Sequence, residues 1–82
     1  MSDKAQRMLK HMHRQLWMQG TRDASVRRAA FSIGVEPEGE EFDALVEELL
    51  RRGYIEHYPS PTLALEGLYR VTDRGIAAAK EE

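Results

Sequence analysis

From Glu36 to Gly53 the chain reads Glu-Pro-Glu-Gly-Glu-Glu-Phe-Asp-Ala-Leu-Val-Glu-Glu-Leu-Leu-Arg-Arg-Gly. No other run restricts the fold as much. Phe42, Leu45, Val46, Leu49 and Leu50 recur at helical spacing. That spacing gathers them on one apolar stripe wide enough to face a core. Glu40, Glu41, Asp43, Glu47 and Glu48 take the other faces. Pro37 fits a first helical turn, where its missing N–H costs nothing. Arg51 and Arg52 fall in the last turn, where cations suit the negative end of the helix dipole. Gly53 then fits a left-handed C-terminal cap. The spacing predicts a helix over about 38–52, and its polar side is strongly acidic.

One helix of this size needs partners, and 82 residues supply one small domain, 1–82. With 41% apolar residues such a chain can bury a single core. Cysteine is absent, so neither a disulfide framework nor a thiolate metal site is available. That composition fits a reducing cytoplasm. No apolar run reaches the roughly 18 residues that cross a bilayer. The first residues, Met-Ser-Asp-Lys-Ala-Gln-Arg, lack the apolar centre of a signal peptide. A soluble cytoplasmic protein with no membrane partner is the expectation. Net charge is −2, but it is unevenly spread. Residues 1–35 carry seven Lys/Arg and two acids (+5), and residues 36–82 carry five Lys/Arg and twelve acids (−7). Such asymmetry fits a nucleic-acid face, complementary packing within or between chains, or two solvated surfaces.

Residues 3–19 read as a first helix, with Ser2 or Asp3 as its cap. Ala5, Met8, Leu9, Met12 and Leu16 form its core stripe. Lys4, Arg7, His11 and Arg14 line a second face, with Lys10 beside them. Trp17 lies near the end, and Gly20 stops the helix. Thr21 to Asp23 read as a short link. A second helix is expected over about 24–32, with Val26, Ala29, Ala30 and Ile33 inward, Phe31 half-buried, and Arg27 and Arg28 outward. Gly34 ends it. After Gly53 the period turns from helical to alternating. Strands are expected at about 54–58 and 68–71, rich in aromatic and β-branched residues. The stretch from Pro59 to Gly67 joins them, and loops of that length often carry function. A last helix follows over about 73–80, capped by Thr72 or Asp73. Gly75 weakens it in isolation.

Two local patterns then carry a resemblance. Leu45-Val46-Glu47-Glu48-Leu49-Leu50-Arg51-Arg52-Gly53-Tyr54-Ile55 is similar to the end of the third helix and start of the wing in bacterial regulators. Tyr69-Arg70-Val71-Thr72-Asp73-Arg74-Gly75 is similar to the Tyr-x-Leu-Thr-x-x-Gly exit from the wing in MarR-like and PadR-like transcriptional regulators. With the order of elements, the chain resembles a winged-helix domain over nearly its whole length. The resemblance implies an α+β fold: a three-helix bundle, a β-hairpin wing and a short C-terminal helix.

The resemblance also implies DNA binding and transcription regulation. In such domains the third helix enters the major groove and the wing touches the backbone. Carried over by position, the reading residues are Glu38, Glu40, Glu41, Asp43 and Ala44. Four of the five are acids, facing a polyanion whose affinity rests on Lys and Arg. The usual recognition-helix mode is therefore opposed by repulsion. Two readings stay open. DNA or an acidic partner lies against Lys4, Arg7, Lys10, Arg14, Arg27 and Arg28. Alternatively the domain is a protein-protein interaction module, with a homodimer as one form. Thr62, Leu63 and Leu65 in the long loop would then form a wing or partner contact. Leu63 and Leu65 equally fit folding back on the core. The ordinary reading of the basic stripe is a solvated helix face.

The residues argue against an enzyme. There is no Gly-rich phosphate loop and no Gly-x-Ser-x-Gly elbow. His11 and His13 point about 200° apart on a helix, so they cannot share a metal. The glutamates near residue 40 lack calcium-loop spacing. Trp17, Met8 and Met12 fit core or edge packing better than a cofactor site. No cofactor, metal or small-molecule ligand is expected.

Overall fold

The apolar stripes do build the core. The computed structural model describes residues 2–20, 23–57 and 67–80. Over these the chain is a small α+β structure with four helices and a three-stranded antiparallel sheet. Its elements are α1 (Asp3–Gln19), β1 (Asp23–Ser25), α2 (Val26–Ser32), α3 (Glu40–Arg51), β2 (Ile55–His57), β3 (Leu68–Val71) and α4 (Asp73–Lys80). Helix α1 is central, packing against α2, α3, α4 and β1. Its Ala5, Met8, Leu9 and Met12 are fully buried and Leu16 nearly so. Val26, Ala29 and Ala30 of α2 and Leu45, Val46 and Leu49 of α3 meet them in one cluster. Phe42, Leu50 and Ile33 are partly buried at its margin. Small Ala29 and Ala30 let α2 approach α1 closely.

Ends of helices follow local chemistry. Ser2 caps α1, its Oγ accepting from the Ala5 N–H at 3.2 Å. Helix α3 ends in a paired-hydrogen-bond cap. The Gly53 N–H donates to the Leu50 carbonyl at 3.0 Å and the Tyr54 N–H to the Leu49 carbonyl at 3.0 Å. Gly53 sits at φ +74° to allow it. At its start, the first helical residue is Glu40 and Gly39 is the cap. Pro37 therefore lies in the turn before α3 rather than in its first turn. Gly39 lacks a side chain to accept the free N–H groups, and the acids Glu40, Glu41 and Asp43 complement that positive end instead.

The sheet corrects the expectation of a plain two-stranded hairpin. Its order is β1-β3-β2, with β3 in the middle. Asp23 and Ala24, expected in a link and at a helix start, pair with Arg70 and Tyr69. The strand holds because a buried side chain takes over part of a backbone's role. Gln15 on α1 is 7% exposed. Its Oε1 accepts from the Ser25 N–H at 2.8 Å, and its Nε2 donates to the Ser25 carbonyl at 3.0 Å. Both backbone groups of Ser25 are thus satisfied as a neighbouring strand would satisfy them. The Ser25 Oγ then caps α2, accepting from the Arg28 N–H at 3.2 Å. Across the sheet, Ala24, Ile55 and Val71 turn to the core. Arg70 and Glu56 pair on the other face at 3.3 Å.

Thr72 closes the structure. Its hydroxyl donates to the Gly53 carbonyl at 2.6 Å and leans toward that of Tyr54 at 3.1 Å. The same oxygen accepts from the Gly75 N–H at 3.0 Å, capping α4. Gly75 has a tertiary reason as well: a Cβ there would run into the Tyr54 carbonyl. On the far side, Gln6 donates from Nε2 to the Ala78 carbonyl at 2.9 Å and ties α4 to α1.

Two expectations about burial are corrected. Trp17 is 78% and Phe31 73% exposed. Trp17 lies about 140° around α1 from the buried Met12, on the far side from the core. Phe31 follows Ala30 by about 100°, which turns it off α2's buried side.

Candidate functional site

Helix α1 has two long faces. Opposite its core stripe, Arg7, Lys10, His11, Arg14, Trp17 and Met18 recur every third or fourth residue. At about 100° per residue they share an arc of roughly 120°. Arg7 and Arg14 are exposed, and Lys10 and His11 are partly exposed. The outermost turn carries Trp17 and Met18, the latter 81% exposed.

Helix α2 completes this face. Arg7, Lys10, His11 and Arg14 line one open depression. His11, Arg14, Gln15 and Met18 line a second with Arg28 and Ser32 of α2. His11 and Arg14 belong to both, so the basic face is continuous from Arg7 to Arg28. The Gln15–Ser25–Arg28 chain of hydrogen bonds sets α2's start against α1. Ser32 is bonded too, its Oγ donating to the Arg28 carbonyl at 3.1 Å.

Four of the six basic residues singled out in the sequence therefore meet: Arg7, Lys10, Arg14 and Arg28. The other two lie elsewhere. Lys4 binds Glu41 of α3 at 2.7 Å. Arg27 lies beside Gly67 and, with Phe31, Glu36, Pro37 and Glu38, lines a separate depression. The recognition-helix positions Glu38, Glu40, Glu41, Asp43 and Ala44 are all exposed. Of these, Glu41 meets the first turn of α1 through Lys4, where the Ser2 N–H also donates to Glu48 Oε2 at 3.2 Å. The cations of α3 come only at its far end, where Arg52 lies 3.6 Å from Glu48. Thr62, Leu63 and Leu65 lie outside the described residues.

Sequence reasoning placed His11 on this face but missed Gln15 and the apolar end of the stripe as parts of the site. Continuing the Arg7–Lys10–Arg14 spacing by one turn reaches Trp17 and Met18, which was the available signal. Nothing in the sequence marks Gln15, whose role depends on where β1 passes. Among the described residues no three His, Asp or Glu side chains gather as a metal site. No helix there is long and apolar enough to cross a membrane. No family model, curated protein or solved structure matches the chain.

Proposed function

We propose that this chain is a winged-helix domain of the DNA-binding, transcription-regulator-like class, and that it takes nucleic-acid phosphate on the α1–α2 face instead of on α3. The continuous row Arg7, Lys10, Arg14 and Arg28 carries this reading. Element order supports the winged-helix part: α2, a turn and α3 precede a paired β2 and β3, and β1 ties the sheet to the first two helices. Thr72 and Gly75, the motif residues of the wing exit, also have a structural purpose at that position. The direction of binding follows from charge. Cations on one continuous face attract a phosphate backbone, while the acids at the start of α3 repel it. Contacts from the three arginines alone give a slope of log affinity against log salt of about −2 to −3 on duplex DNA. A salt titration with random duplex tests this. Binding weaker than about 10⁻⁴ M at low salt, below ordinary non-specific affinity, would sink it.

A second reading has its own support. Phe31 is 73% exposed above the depression bordered by Arg27, Glu36, Pro37 and Glu38. An aromatic ring ringed by charges of both signs suits a protein-protein interaction module, homodimeric or not. Under this reading Phe31→Glu abolishes a protein contact, seen by sedimentation or pull-down, and leaves any DNA binding intact. If Phe31→Glu alters neither, the module reading fails.

A further inference from the structure

We infer that the end of α1 is a stacking subsite for an unpaired base, so that the basic face prefers single-stranded nucleic acid or a locally opened duplex. The inference rests on the phosphate-binding reading and adds a ligand class to it. Three observations carry it. Trp17 and Met18, 78% and 81% exposed, stand on the same helical row as Arg7, Lys10 and Arg14. At 1.5 Å per residue, that row runs about 15 Å from Arg7 to Trp17. It is one line of cations ending in an aromatic ring, suited to one strand's backbone and a base beyond it. Arg28 and Ser32 border the depression that Met18 lines with His11 and Arg14, so the cationic face extends onto α2 beside the end of the row.

The chemistry discriminates between ligands. In a duplex, base faces are covered by their neighbours, so an indole gains little from it. An unpaired base offers a free π-face, and stacking on an aromatic side chain tolerates any sequence. A polyanion is favoured over a neutral apolar partner because cations lead up to the ring along the row.

Trp17 is the only tryptophan, so its fluorescence reports the subsite directly. The experiment titrates the protein with oligo(dT) of about 12 nucleotides, within ordinary site sizes, and with a duplex of equal charge. Fluorescently labelled oligonucleotides follow binding in Trp17→Ala and Trp17→Phe. The expected result is saturable quenching by oligo(dT) that salt reverses. Trp17→Ala is expected to lose about 5- to 150-fold in oligo(dT) affinity and to keep its duplex affinity, with Trp17→Phe in between. If duplex binds but oligo(dT) neither quenches Trp17 nor depends on it, this inference is overturned and the phosphate face stands. If neither nucleic acid binds, both fall. If emission of the free protein is blue-shifted and moves red on dilution, a second copy covers Trp17 and the stacking subsite is overturned.

Discussion

Helices α1 and α3 solve the same packing problem with opposite surfaces. Each gives one stripe to the core: Met8, Leu9 and Met12 from α1, and Leu45, Val46 and Leu49 from α3. Their outer faces then diverge. That of α1 carries Arg7, Lys10 and Arg14, and that of α3 begins with Glu40, Glu41 and Asp43. They touch through charge at one end, where Lys4 meets Glu41. The difference teaches that burial and surface charge are written on separate faces of one helix. Under the proposed winged-helix reading, position in the chain directs attention to α3, and surface chemistry directs it to α1.

The comparison breaks first if the two core stripes are not equivalent. Met12→Ala and Leu49→Ala remove side chains that are both fully buried. Each is expected to cost about 2–5 kcal/mol and to lower Tm by roughly 10 °C or more, as thermal denaturation would reveal. A loss below about 1 kcal/mol at either site would mean that its helix is not held by that stripe.

Next come two positions where neighbours override local preference. Gly75→Ala raises helix propensity by about 1 kcal/mol, yet it is expected to destabilise by about 1–3 kcal/mol because the Tyr54 carbonyl occupies the added methyl's space. Gln15→Leu strips Ser25 of two hydrogen bonds. It is expected to cost about 1–3 kcal/mol and to speed amide exchange at Ser25. Unchanged denaturation midpoints would refute either assignment.

Charge reversal sharpens the contrast between outer faces. The pair Arg7→Glu and Arg14→Glu is expected to weaken oligonucleotide binding at least about tenfold at low salt and to flatten the salt slope by about 2. The pair Glu40→Lys and Asp43→Lys on α3 is expected to alter affinity by less than about threefold, through long-range field alone. A large gain from the α3 pair, measured by anisotropy, would hand the contact back to α3. The smallest effect belongs to the junction. Lys4 and Glu41 are half exposed, so Lys4→Ala is expected to cost less than about 1 kcal/mol in urea unfolding.

Much of this architecture was legible beforehand because helices advertise themselves by period. The stripes of α1 and α3, the caps at Ser2 and Gly53, and the strand-to-helix motif ending at Gly75 are all local in sequence. The site was legible only in part. Arg7, Lys10 and Arg14 share one helix and so could be grouped by spacing. Arg28 joins them through the hydrogen bonds that Gln15 and Ser25 make across ten residues of chain. Lys4 and Arg27 had the same residue chemistry but different neighbours, and no spacing rule separates them from the rest.

Sequence by itself determined the helices, their buried faces and the opposite charge of the two halves, since periodicity and composition need only neighbours along the chain. Tertiary structure alone decided the rest. It made Asp23–Ser25 a strand, because three residues show no period and acquire one only when β3 and Gln15 supply partners. It left Trp17 in water, because the core was already filled from the other side of α1. And it turned Gly75 from a weak point in a short helix into a requirement, because only there does another backbone come too near for a side chain.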